Sequence, residues 1–388
     1  MLVEPAIPAD LLAAIRAPFV ATGAQPTDTA ILQPLGLMLD LAGESLRARL
    51  FVVQAEGGQE ACLRADFTAP IARAHIESGE SAGNYLYEGK VFRASPDRAN
   101  QAEEFVQIGV ERFGPAGPTA DADFDMIMLG WRAAMTGGRR DLSLWLGDVS
   151  LFAAFVDGLA LSPVLGARIK RAASRPRLLQ AELARAGQEA GLRPDNGLAR
   201  ILGGLSPDAA GAALEEVWSL AGIQPVGGRT PAEIAQRLIQ QAEGRSAPAL
   251  TRDQAAAISA FLAVQGRPSE ALDTISALAP DPAGELQTAL RAWRTQLERL
   301  VAAGVAECDV TFSTALGHAF DYYDGMTFEV RSAGLDPQDP IAAGGRYDGL
   351  LSRLGGAGED GPSPGAAVRS RAIGCMVRPA RAMEQVTS

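Results

Sequence analysis

Cysteine is scarce in this chain: Cys62, Cys308 and Cys375 are three in 388 residues, far apart and with no Cys-x-x-Cys spacing. That excludes a disulfide framework and a zinc cage as organising devices, and it fits a reducing cytoplasm. Histidine is equally sparse. His75 falls on an expected helix with no second His or Cys nearby, which reads as a structural residue and not a metal ligand. No apolar run reaches membrane-spanning length, and the N-terminus carries Glu4 and Asp10 in place of a basic-then-apolar signal, so no membrane partner is expected. Positive charge is in deficit, with 35 Lys and Arg against 46 Asp and Glu, a net charge of -11. Nucleic-acid affinity draws on clustered cations that release phosphate counterions, so no nucleic-acid partner is expected either. The densest basic run, Arg168 to Arg177, reads as a solvated helix face. There is no Walker A sequence. Gly356 to Gly361 formally matches G-x-G-x-x-G, but Pro362 and Pro364 stand where a helix should open, so that stretch reads as a loop. No cofactor is implied.

What is present is apolar bulk and pattern. With 47% hydrophobic residues the chain can bury a large core in two or three domains. Ala9 to Phe19 reads as a helix, Gln25 to Thr29 as a turn, Leu50 to Val53 as a strand closed by a turn at Glu56 to Gln59, and Ile71 to Glu77 as a helix. Asn84 to Arg93 and Glu104 to Phe113 read as an antiparallel pair. In the second of these, Val106, Ile108 and Val110 fall on one face, and Gln107, Gly109 and Glu111 on the other. A solvated strand face alternates in the same way, but a glycine between two polar side chains weakens a strand unless something needs the space. A helix over Asp121 to Thr136 and a strand over Asp141 to Trp145 follow. From 151 to 305 helical periodicity dominates, with helices expected at 176–191, 207–221, 230–243, 252–265, 268–278 and 283–303 and no chemical motif among them. Strand patterns resume at Ala306 to Phe312 and Thr327 to Val330. The expected organisation is therefore a discontinuous sheet domain, 1–150 with 306–388, interrupted by a helical insertion at 151–305. Two segments after the insertion set polar and aromatic residues among glycines: Asp321-Tyr322-Tyr323-Asp324-Gly325 and Ala343-Gly344-Gly345-Arg346-Tyr347-Asp348. Such segments suit a pocket floor where backbone and small ligand come close, although a tight turn also explains the glycines.

These residues resemble the catalytic core of histidyl-tRNA synthetase, a class II aminoacyl-tRNA synthetase. Leu63-Arg64-Ala65-Asp66-Phe67-Thr68 is similar to that family's Leu-Arg-Pro-Glu-Gly-Thr, Val91-Phe92-Arg93 with Glu104 to Glu111 to its motif 2, and the two glycine-bearing segments to its histidine-specific signatures. The resemblance covers about 31–150 and 306–378 and implies an α+β fold, an antiparallel six-stranded sheet flanked by helices, and a histidine pocket. Position by position it implies Asp66 and Thr68 near the substrate ammonium, Gln107 and Glu111 holding the amino acid, Tyr322 and Tyr323 lining the imidazole, and Arg93, Gly344 and Gly345 within the same site.

The adenylation machinery departs from the pattern. Activating a carboxylate with ATP needs cations around the moving charge. Ser95 stands for the Glu that reads adenine, the loop Ala99 to Glu103 lacks the family's further Arg, His318 replaces an Arg, and the motif 3 Arg would fall at Val377, with Arg378 one residue out of register. About ten residues follow Arg378, where a synthetase continues into an anticodon-binding domain. A kept histidine pocket with lost catalytic arginines resembles the regulatory subunit of ATP phosphoribosyltransferase. That resemblance implies no catalysis by this chain, self-association as a dimer, a short-form catalytic subunit as partner in a hetero-octamer, and feedback inhibition by histidine. It agrees with the absence of two acidic residues followed by a Thr-Gly-x-Thr-like loop, the pattern that binds phosphoribosyl pyrophosphate. The alternative implied by the fold is a divergent ligase that adenylates histidine or an analogue, with a protonated His318 in place of Arg.

Overall fold

The computed structural model describes residues 2–39, 48–54, 60–95, 101–114, 119–187, 205–221, 231, 234–235, 249–279, 281, 284–317, 322–355 and 371–383. Before the helical block run β1 (Leu2–Val3), β2 (Gln25–Pro26), β3 (Leu32–Pro34), β4 (Val52–Gln54), β5 (Glu60–Leu63), β6 (Gly83–Phe92), β7 (Ala102–Phe113) and β8 (Leu142–Asp148). After it come β9 (Gln265–Gly266), β10 (Val310–Ser313), β11 (Met326–Ser332), β12 (Ala342–Arg346) and β13 (Ala372–Val377). The main sheet contains an antiparallel run in the order β6-β7-β13-β12-β11-β8, the six strands expected. It then extends beyond expectation. β2 pairs in parallel with β6, β1 with β7, and β10 with β8, while β9 closes the far edge antiparallel to β10. β10 overlaps the strand expected at Ala306 to Phe312 and is new only in its parallel place outside the six, whereas β1, β2 and β9 are two residues long, too short for a period to show. For that reason Gln25, expected to open a turn, starts a strand instead. β3, β5 and β4 form a separate antiparallel sheet that delivers the chain to Asp66.

The main sheet is covered on one face by the helix Thr119–Thr136, which buries Met126, Ile127, Met128, Trp131 and Ala134. Gly130 sits where a Cβ would meet the Phe328 ring at 2.6 Å, so the glycine sets how closely helix and sheet approach. Ile108, Phe328, Ala342 and Val377 share that face through their register. Gln107, Gly109, Glu111, Ala343 and Gly374 occupy the other.

By its internal contacts the chain divides into Met1–Gly158 with Phe261–Ser388, and Leu159–Ala260. The helical block that the periodicity placed at 151–305 thus loses both ends to the sheet unit. The helices Val149–Gly158 and Glu285–Ala302 belong to the sheet unit: Trp293 Nε1 donates to Asp148 Oδ2 at 2.9 Å and Gln296 Nε2 to the Ala120 carbonyl at 3.0 Å. Helical period shows that a helix has an apolar face, not what covers it. Within the block, 207–221 and 268–278 are helices with the expected bounds. The others run Pro176–Ala184, Arg252–Leu262 and Glu285–Ala302, with Pro163–Ala172 ahead of them. The helix expected at 230–243, like the turn at 56–59 and the Gly356 loop, lies largely or wholly outside the described residues. Among the described residues no helix is long and apolar enough to cross a membrane.

Candidate functional site

The alternation of β7 decides the site. Gln107 and Glu111 point to the face away from the helix Thr119–Thr136 and are each 1% exposed, so this is no solvated strand surface. They border a cavity of about 630 Å³ whose walls also include Asp66, Thr68, Tyr87, Arg93, Tyr322, Tyr323 and Tyr347. All of its lining residues belong to the sheet unit.

Glu111 is the most constrained group. Thr68 Oγ1 donates to its Oε1 at 2.7 Å, and the Tyr347 hydroxyl donates to Oε2. Burial pushes its carboxyl up to about 7, against these two hydrogen bonds and with the help of the nearby Asp66 charge. Asp66 is likewise pushed up by burial, with Arg93 opposing. Its Oδ1 accepts from the Ala69 backbone N–H at 3.4 Å, at the entry to the helix Thr68–Ser78. Arg93 is aimed by its Nε donating to the Ala65 carbonyl at 2.8 Å. Gln107 differs: its Nε2 is buried and has no hydrogen-bond partner among the described residues.

Tyr322 and Tyr323 stand on the loop into β11, with ring centroids 4.6 Å apart, and Tyr347 meets Tyr322 edge-on at 5.8 Å. Asp324 clasps this loop to the end of β12. Its carboxylate accepts from the Asp348 and Gly349 backbone N–H groups at 3.0 and 2.6 Å, and its own N–H donates to the Arg346 carbonyl at 3.0 Å. Arg346 and Asp348 are spent on structure: Arg346 Nε donates to Asp123 at 3.0 Å, and Asp348 accepts from the Ala372 N–H at 2.8 Å. Of that triplet only Tyr347 lines the cavity.

The glycines make room for protein, not ligand. Neither Gly344 nor Gly345 lines the cavity. A Cβ on Gly345 would meet the Tyr323 ring at 2.8 Å, and one on Gly344 the Phe328 ring and Cys375 Cβ, both at 2.6 Å. Above Gly109 lies Tyr87, its register partner on β6, with Cζ 2.5 Å from where a Cβ would be. Gly374 leaves the space that Glu111 and the Tyr347 hydroxyl fill.

Of the substituted synthetase positions, Ser95 is outside the cavity wall and its N–H donates to Glu103 Oε1 at 3.1 Å. Val377 is fully buried on the helix-facing side of β13. Arg378, the next residue, shares the cavity face with Gly374 and Met376, so the register that seemed one residue out is the one that reaches the cavity. His318 lies outside the described residues. Sequence reasoning passed over Tyr87 and Gly374, named Tyr347 and Asp324 only within the two glycine-bearing segments, and named Arg378 only as a residue out of register. Tyr347 had a signal, its place in the second signature, whereas Tyr87 has none in its own strand. His75 is structural, its Nδ1 2.9 Å from the Tyr85 hydroxyl and its ring stacked on Phe113.

The histidyl-tRNA synthetase family profile matches residues 10–219 and 231–373. An ATP phosphoribosyltransferase regulatory subunit from Brucella anthropi is 33% identical over 363 residues, 91% of this chain and 93% of that protein. One from Mesorhizobium japonicum is 35% identical over 345 residues, covering 87% and 89%. The chain belongs to the ATP phosphoribosyltransferase regulatory subunit family, on a histidyl-tRNA synthetase-like fold. The crystal structure of an ATP phosphoribosyltransferase regulatory subunit/histidyl-tRNA synthetase from Bacillus halodurans shares that fold, with a TM-score of 0.59 at 21% identity over 97% of this chain and 79% of that one. In this member of the regulatory-subunit family, the cavity wall around β7 is furnished with carboxylates, an amide and tyrosines. Its cations, by contrast, are largely paired within the protein: Arg331 Nε and Nη2 each lie 2.7 Å from Glu329 Oε2.

Proposed function

We propose that this chain is a non-catalytic regulatory subunit, required with a short-form ATP phosphoribosyltransferase catalytic subunit for the first step of histidine biosynthesis, and that free histidine in the cavity carries feedback inhibition. The observation that supports it most is the buried pair on β7, Glu111 with Gln107, whose amide nitrogen lacks an acceptor among the described residues. An amino acid bearing an imidazole complements this wall. Its ammonium faces the Asp66 carboxylate, its ring N–H faces Glu111 and the tyrosine hydroxyls, and its acceptors answer Gln107 Nε2 and Arg93. A buried amide left without an acceptor is costly, so a ligand that supplies one gains more than it would from an exposed group. Self-association as a dimer and assembly with the catalytic chain into a hetero-octamer are part of this proposal.

The test is phosphoribosyl-ATP formation by a short-form catalytic subunit from the same source, with and without this chain, and then with histidine. Activity that appears with the chain and falls with histidine is the expected result; indifference to the chain would sink the proposal. Glu111→Ala removes a charged acceptor and is expected to weaken the histidine response by about 10- to 100-fold, the equivalent of roughly 1.5–3 kcal/mol, while activation is retained. Equal loss of activation and inhibition would count against histidine binding here. The ligase alternative requires histidine-dependent ATP–pyrophosphate exchange, which is expected to be absent because Ser95, His318 and Val377 stand where the resemblance places the groups that read ATP.

A further inference from the structure

Four charged side chains meet where β13 ends. Arg378 lines the cavity, with its guanidinium 3.7 Å from the centroid of the Phe105 ring. Its Nη1 lies 3.2 Å from Asp339 Oδ1 and its Nη2 donates to Glu4 Oε1 at 2.5 Å. Arg381 Nη1 approaches the other Asp339 oxygen at 3.6 Å. Asp339 itself lines the cavity, whereas Glu4 arrives from behind it, brought there by β1 pairing with β7 at Ala102 and Glu104. All four side chains are 15% exposed or less, and their formal charges cancel.

An arginine at a cavity wall is ordinarily an anion site, because its planar fork matches phosphate oxygens. Here both terminal nitrogens of the fork already face carboxylates. The arrangement does not look optimised for stability. Arg378 Nε and Glu4 Oε2 are buried without hydrogen-bond partners among the described residues, and a buried ion cluster contributes little net stability over apolar packing. A phosphate entering this end would have to displace Asp339 and then stand beside it, like charge against like charge.

We infer that Asp339 and Glu4 are specificity-determining residues that keep phosphate-bearing ligands, ATP first among them, out of the cavity. In the assembly proposed above the catalytic partner consumes ATP, and a cavity that reads an amino acid must not fill with that nucleotide. The exclusion itself does not depend on what the cavity holds.

The experiment uses the full chain and titrates MgATP and inorganic pyrophosphate by calorimetry into the wild type, Asp339→Asn, Glu4→Gln and the double variant Asp339→Asn/Arg378→Ala. The wild type is expected to give no binding heat at millimolar ligand. Asp339→Asn leaves an uncompensated positive charge on the cavity wall and is expected to bind MgATP at least tenfold more tightly than the wild type, with a smaller gain for Glu4→Gln and none for the double variant. Submillimolar MgATP binding by the wild type overturns the inference, as does a folded Asp339→Asn chain that gains nothing. Where circular dichroism shows Asp339→Asn unfolded, Glu4→Gln decides on the same criterion. Histidine is titrated into the wild type alongside: no heat there counts against the proposed function and leaves the exclusion standing.

Discussion

At the scale of single residues, Glu111 sets the chemistry. Its carboxyl titrates at about 7 in the fold because burial disfavours the charge more than Tyr347 and Thr68 stabilise it. With a folded pKa above the ordinary 4.5, the folded chain binds this proton more tightly than the unfolded one. The associated stability is complete below about pH 4.5 and is lost as pH rises towards and through 7, a loss of about 3 kcal/mol from this group. Denaturant unfolding at pH 5, 6, 7 and 8 is expected to show Glu111→Gln gaining on the wild type as pH rises; parallel pH profiles for the two proteins would refute it. Glu111 and Gln107 were legible in the sequence because a strand alternates with period two. The glycines beside them were legible as required space but not as to its occupant. Tyr87 and Tyr323 fill that space, and they come from another strand and another loop.

At the scale of elements, two signature segments separated by a strand act as one unit because Asp324 joins them. Its carboxylate holds the Asp348 and Gly349 N–H groups, and so holds Tyr322 and Tyr323 over β12 and Tyr347 against Glu111. Asp324→Ala is expected to cost about 1 kcal/mol of stability, since the group is exposed and water can replace it, yet to weaken histidine binding about tenfold by loosening three rings together. Calorimetry beside thermal unfolding separates the two effects; an unchanged histidine affinity would show that the clasp does not aim the tyrosines. Of the strands in this unit only β11 was visible, from the run Thr327 to Val330; β12, Ala-Ala-Gly-Gly-Arg, carries no β-branched residue and read as a pocket floor or a turn. The clasp was not visible, because a carboxylate reaching backbone N–H groups some 24 residues away leaves no periodic trace.

At the scale of the whole molecule, every residue lining the cavity lies in Met1–Gly158 or Phe261–Ser388. The chain leaves that unit after Gly158 and re-enters at Phe261, whose ring stacks on Phe155 with centroids 4.5 Å apart, so the two points of departure are close. Replacing Leu159–Ala260 by a short Gly/Ser linker is therefore expected to leave a folded sheet unit that binds histidine within about threefold of the full chain, read by calorimetry. Loss of binding in a folded deletion variant would assign the helical unit a part in the site. By itself the sequence determined the interruption of a sheet by helices and the carboxylate and amide of β7, and its resemblance to the synthetase core implied the α+β class and the six antiparallel strands. These follow from side-chain periodicity and from motifs contiguous along the chain. Only the tertiary structure decided that Arg378 and not Val377 faces the cavity, that Glu4 and Asp339 neutralise it, that the glycines admit tyrosines, and that the outer helices of the block belong to the sheet. Each of these depends on which distant segment packs against a given face, and neither period nor spacing records that.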